Sequence, residues 1–188
     1  MKYILASKSP RRRDILNKIN LKFKIIPSNI DESQISTKLN PNRYCMELAE
    51  LKAKDISKKY KNYTVIGADT IVVIDNIILN KPTDNIEAKK MLQLLSGSKH
   101  QVVTGVSIQN IVSNINYTFF DMSVVTFYDI SDIEIEEYIL QYNPLDKAGS
   151  YGIQDGSALF IKKIEGSYEN IMGFPLSKFY QFFKNKIK

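Results

Sequence analysis

The chain has 188 residues, 44% of them hydrophobic and 24% charged, with a formal net charge of +6, one cysteine and one histidine. That length suits one well-cored domain over 1–188, and no apolar run approaches the roughly 18 residues that would nominate a membrane span. Cys45 alone excludes an internal disulfide and, with only His100 beside it, a thiolate–imidazole zinc site, so any bound metal is expected to be a hard cation on carboxylates. The lysine excess is spread over nearly every segment, which reads as a compositional habit and not as a nucleic-acid footprint. With too short an apolar start for a signal peptide, the chain is expected to be cytoplasmic, with no membrane and no specific nucleic acid among its partners.

Tyr3 to Ala6 reads as a first strand. Ser9 then suits a helix N-cap and Pro10 a first helical position, with Ile15, Leu16 and Ile19 as the apolar stripe. Lys8, Arg11, Arg12 and Arg13 crowd this helix start, where positive charge opposes the dipole. Backbone N–H groups, the hydroxyls of Ser7 and Ser9, and the guanidiniums together match a polyphosphate; the plainer alternative is a capped helix with exposed arginines. Leu21, Phe23 and Ile25 alternate as a half-buried strand, and the loop Ser28 to Ser33 carries Asp31 and Glu32. Pro41 to Tyr60 reads as a helix through Tyr44, Leu48, Leu51 and Ile56, with Lys52 either on its surface or in a cleft.

The stretch Thr64 to Pro82 reads as a strand pair: Val65 and Ile66, an interruption at Asp69-Thr70, then Ile71 to Ile74, a turn at Asp75-Asn76, and Ile77 to Leu79 leading to Lys81. Gly67 and Ala68 beside an ionised acid leave room for a ligand or metal at the backbone; an acid at a strand end facing solvent is the alternative. Asp84 and Glu87 suggest a capping box, Ile86, Met91, Leu92 and Leu95 a core stripe, and Gly97 a stop. His100 opens a strand through Val102, Val106 and Ile108 and reads as structural. Ser113-Asn114 turns the chain into Ile115 to Phe127. Ser131 and Glu134 cap a helix bearing Ile135, Tyr138, Ile139 and Tyr142. Asn143 to Ser157 is long, glycine-rich and polar, as binding loops are; a strand from Ala158 to Ile164 and a second loop, Gly166 to Pro175, precede a tail helix over Lys178 to Lys188, packed through Phe179, Phe182 and Phe183.

Neither G-x-x-x-x-G-K-[ST] nor a strand-borne G-x-G-x-x-G occurs, so phosphate binding falls to the Ser7 to Arg13 element. The ordered set ASKSPRR (Ala6 to Arg12), GADT (Gly67 to Thr70), KP (Lys81-Pro82), HQVVTG (His100 to Gly105), DKAGSYGIQ (Asp146 to Gln154) and GSYENIMGFP resembles the Maf family of nucleotide pyrophosphatases over nearly the whole chain. The resemblance implies hydrolysis of a nucleoside triphosphate to the monophosphate and pyrophosphate. It also implies an elongated, two-lobed α/β fold, a mixed twisted sheet with flanking helices around a central cleft, shared with the inosine triphosphate pyrophosphatases. Carried over, Asp69 is the catalytic acid, Lys81 and Lys52 are catalytic or phosphate-binding lysines, and Glu32 shares a metal with Asp69. Ser7, Ser9, Arg11 and Arg12 hold phosphates and shape the base pocket. Mg²⁺ suits such oxygen ligands, with Mn²⁺ the alternative.

Arg11, Thr70 and Gln154 match the branch similar to the dTTP and UTP enzymes; the 7-methyl-GTP branch has Trp and Gln at the first two places and a different loop at the third. Phe174 and Asp155 depart from the Leu and Gly usual there. A homodimer is consistent with the family. The alternative function is a regulatory protein linked to septum formation, or a nucleic-acid binder, with a vestigial nucleotide pocket.

Overall fold

The computed structural model describes residues 1–36 and 39–186. In chain order the elements are β1 (Tyr3–Leu5), α1 (Pro10–Asn17), β2 (Phe23–Ile25), α2 (Pro41–Lys59), β3 (Thr64–Ile74), β4 (Ile77–Leu79), α3 (Asn85–Leu95), β5 (Lys99–Asn110), β6 (Ile115–Phe127), α4 (Asp132–Tyr142), β7 (Ile161–Glu165), α5 (Tyr168–Ile171) and α6 (Leu176–Lys186), with short 3₁₀ turns between. The strands form a mixed sheet of order β2-β1-β3-β5-β6-β7, with β4 paired to β3. β1 runs parallel to both neighbours, Tyr3 opposite Phe23 on one side and Thr64 on the other, whereas β4 and β7 pair antiparallel with β3 and β6. The architecture is therefore the mixed α/β class expected. Among the described residues no helix is long and apolar enough to cross a membrane.

The chain divides into two units, with β3, β5 and β6 contributing to both. The first comprises residues 1–70, 104–121 and 173–188. Ile4, Ala6, Ala53, Ile56 and Val65 form a core there, with Ile26 and Tyr63 packed against it. Helix α2 lies so close to the strands that a Cβ on Gly67 would strike the backbone of Ala49 and Ala53, and one on Gly105 the backbone of Cys45. Gly67 is therefore small because a helix backbone fills the space beside it, not to admit a ligand. The aromatic side chains of α6 pack as expected: Phe179 against Phe183 and against Phe174 just before the helix, and Phe182 against Tyr117 and Phe119. The last two residues of the expected tail helix, 187 and 188, lie outside the described residues.

The second unit comprises 71–103 and 122–172. Asp75 and Asn76 both take positive φ, 49° and 64°, the left-handed pair that closes a two-residue hairpin between β3 and β4. Its core includes Leu92, Leu95, Ile135, Phe127, Tyr151 and Phe160. The capping box of α4 is present in both halves. At α3 only half forms: Asp84 accepts from Glu87 N–H, while the Glu87 carboxylate takes the N–H and hydroxyl of Thr83, one residue further back.

Several expectations fail for packing reasons. β3 runs unbroken through Asp69 and Thr70, because its pairing with neighbouring strands overrides the low strand propensity of one Asp. Ile86 is 67% exposed, not in the core stripe, and Ile25, on the edge strand, is 46% exposed. Residues 158–160 belong to a 3₁₀ turn, Gly156–Phe160, so β7 begins at Ile161. The stretch from Asn143 to Ser157 holds further 3₁₀ turns at Pro144–Asp146 and Ala148–Ser150, and Gly166 to Pro175 contains α5.

Candidate functional site

In the first unit the close seating of α2 on β3 and β5 decides where Lys52 goes. Two turns before Lys52, Cys45 on the same helix places its thiol between the strands: it donates to the Asp69 carbonyl (3.1 Å) and accepts from Gly105 N–H (3.0 Å). Lys52 then reaches the Asp69 side chain, Nζ to Oδ1 2.6 Å, and also Glu32 Oε1 at 2.8 Å. The Lys52 and Asp69 side chains retain only 13% and 11% of their exposure, while Glu32 is half exposed. Burial works against the Lys52 ammonium, but Asp69 and then Glu32 outweigh it and the pKa is raised, so this lysine stays protonated at neutral pH. Lys52 is thus not an exposed surface lysine but is held against Asp69 and Glu32.

The arginine cluster separates into different roles. Arg13 turns outward to Asp14 (2.8 Å). Arg12 turns inward: its Nε donates to the Gly173 carbonyl (2.8 Å), Nη1 to Ser7 Oγ (3.2 Å) and Nη2 to Thr70 Oγ1 (3.0 Å). Thr70 also shares a hydrogen bond with Thr104 (3.0 Å). Desolvation lowers the Arg12 pKa and Asp69 opposes that; a guanidinium remains charged throughout. Among the described residues three of its five N–H groups are engaged in these bonds. Ser9 caps α1, its Oγ accepting from Arg12 N–H (3.5 Å), while its own N–H donates to Ser7 Oγ (3.2 Å). Arg11 is half-buried beside them. Ser7, Ser9, Arg12 and Thr70 are therefore joined in one network, next in sequence to the Asp69, Lys52 and Glu32 cluster.

Lys81 and Gln154 belong to the second unit, both exposed, the first just beyond β4 and the second in the turn after Tyr151. His100 is buried there, sharing a hydrogen bond with Tyr151 Oη (2.8 Å) and lying edge-on to Phe127 and Tyr151, with no partner for Nδ1 among the described residues. Burial lowers its pKa to about 4 and pushes the Tyr151 phenol up. A neutral imidazole in an aromatic box is structural, as the sequence suggested.

Sequence reasoning missed Thr104, Cys45 and the Gly173 carbonyl. Thr104 sits inside HQVVTG, where its proximity to Gly105 was the available signal; Cys45 reads as one more apolar helix position, and a carbonyl leaves no trace in a sequence.

The donor set fits a divalent cation. Asp69 and Glu32 converge on one nitrogen, and two carboxylates are what Mg²⁺ takes when phosphate oxygens and water complete its shell. Among the described residues no group of three or more His, Cys, Asp or Glu forms an all-protein metal cage.

The family model of Maf-like proteins matches residues 2–186. A protein of Carboxydothermus hydrogenoformans named dTTP/UTP pyrophosphatase is 43% identical over 181 residues, 96% of each chain. One of the same name from Bacillus pumilus is 47% identical over 93% of this chain and 91% of that one. Among solved structures, the Staphylococcus aureus Ham1 protein is similar in fold, with a TM-score of 0.50 and 15% identity over 69% of this chain and 73% of that chain.

Proposed function

The chain belongs to the family of Maf-like proteins, and from that premise we propose that it hydrolyses dTTP and UTP to the nucleoside monophosphate and pyrophosphate, a house-cleaning reaction in the cytoplasm. The observation that carries this reading is the buried Asp69–Lys52 pair with Glu32 on the same ammonium. Such a cluster is expensive to maintain for stability alone, since burying two charges offsets most of what their attraction contributes. The intact set favours an enzyme over a regulatory protein with a vestigial pocket.

In this mechanism Asp69 is the base that orients the attacking water and takes its proton. Lys52 keeps Asp69 and Glu32 together by neutralising their mutual repulsion. Asp69 and Glu32 would hold Mg²⁺, which when bound supplies charge neutralisation on the phosphate oxygens. Ser7, Ser9, Arg11 and Arg12 at the start of α1 bind the polyphosphate, and Lys81 adds a further cation. Thr70 and Gln154 contribute to the choice of a pyrimidine base.

The test is incubation of the purified protein with dTTP and Mg²⁺, followed by separation of the products. Pyrophosphate and dTMP are expected, and UTP should be cleaved similarly. Orthophosphate with dTDP would overturn the reaction class; a preference for 7-methyl-GTP or ITP would overturn the pyrimidine assignment.

A further inference from the structure

Of residues 151–157 in the second unit, Gln154 alone is exposed, and its neighbours are tied down on both sides. Tyr151 is buried with its hydroxyl on His100, and Ile153 is buried with its carbonyl accepting from the Tyr168 hydroxyl (3.4 Å). Asp155 N–H donates back to the Gly152 carbonyl (3.0 Å), closing a turn with Ile153 and Gln154 at its centre. One hydroxyl grips both ends of that turn: Tyr138 Oη, from the buried face of α4, accepts from Gly152 N–H (3.2 Å) and donates to Asp155 Oδ1 (3.0 Å). The Asp155 carboxylate also accepts from Ser157 N–H (3.1 Å) and lies 3.7 Å from Lys147 Nζ. Ser157 closes the frame by donating its hydroxyl to the Gly152 carbonyl (2.8 Å).

A solvent-facing amide on a turn this firmly braced is the arrangement of a contact residue held by a supporting shell, whereas an idle surface glutamine needs no such mount. Asp155 supplies most of the bracing, at the position where glycine is usual in the family that the sequence resembles. We propose that Tyr138 and Asp155 are positioning residues that hold Gln154 for the base of the pyrimidine nucleotide, a role that rests on the function proposed above. Neither touches the substrate. The clamp fixes the backbone on either side of Gln154, so that its amide meets the base without first ordering the turn.

The experiment compares the wild type with Tyr138→Phe, Asp155→Asn and Gln154→Ala, measuring kcat and KM for dTTP and amide hydrogen exchange across 151–157. Tyr138→Phe removes only the hydroxyl and preserves the packing of α4. It should raise KM about fivefold, the size of one neutral hydrogen bond, with kcat within about twofold and faster exchange at Gly152 and Asp155. Asp155→Asn should act in the same direction, and adding Tyr138→Phe to Gln154→Ala should change KM little further. If Gln154→Ala raises KM while Tyr138→Phe does not, the clamp is overturned and the function stands. If Gln154→Ala leaves KM unchanged, Gln154 has no contact for the clamp to serve and the proposal falls with it. Failure of the wild type to release pyrophosphate from dTTP would instead sink the proposed function; exchange unaltered in Tyr138→Phe would independently overturn the clamp.

Discussion

The first unit carries 19 Lys and Arg against 8 Asp and Glu, the second 7 against 12, and the buried Lys52–Asp69 pair of the first contrasts with the buried His100 of the second. In the first, Lys52 and Arg12 stay charged, because the ammonium has Asp69 within hydrogen-bond reach and the guanidinium has several fixed acceptors. In the second, His100 stays neutral: burial among Phe127 and Tyr151 disfavours the imidazolium. Holding paired charges out of water makes sense where a charged ligand must be bound and a proton moved. A neutral imidazole with one hydrogen bond serves the fold.

Changing Asp69 tests the first half of this contrast and carries the largest effect. Asp69→Asn preserves shape but removes the proposed base and one of the two carboxylates proposed to hold the metal, so kcat should fall at least about a hundredfold. Because the Lys52 ammonium bridges both acids, losing Asp69 removes its shorter and more buried ion pair and leaves it with Glu32 alone, so Tm should fall modestly. Mg²⁺ should raise the Tm of the wild type more than that of the variant. Turnover retained near the wild-type level would return Asp69 to a structural role.

Acid titration probes the second half. His100 has a depressed folded pKa, so between about pH 6.5 and about 4 the unfolded chain binds more protons than the folded one, and stability falls as pH falls through that window. The loss is on the order of 2–3 kcal/mol across the window. His100→Gln should flatten this part of the stability curve in urea melts while leaving kcat at pH 7 near normal. A stability curve that stays equally steep in the variant would place the acid sensitivity elsewhere.

The smallest effect is expected at Lys81, an exposed cation of the second unit. Lys81→Ala should reduce kcat/KM about tenfold by weakening charge neutralisation on the phosphates, with Tm unchanged because the side chain is exposed. Full activity would confine the phosphate contacts to the first unit.

Local chemistry was legible in the chain. Asp75-Asn76 demands a left-handed turn wherever it sits, Ser131 and Glu134 cap a helix within one turn of themselves, and Pro10 after Ser9 starts one. The order of the short motifs was likewise enough to identify the family. What only the tertiary structure decided depends on neighbours far along the chain. Lys52 meets Asp69 because Gly67 and Gly105 let α2 settle against β3 and β5, and a helix residue carries no mark of what its far face will touch. Arg12 turns inward and Arg13 outward because the Gly173 carbonyl, 161 residues further on, reaches only the first. Ile86 is exposed despite fitting the periodicity of α3, and Asp69 continues a strand that its own propensity would break. Propensity and capping act over a few residues, so a sequence states them directly; burial and charge pairing are settled by which surfaces meet once the sheet has formed.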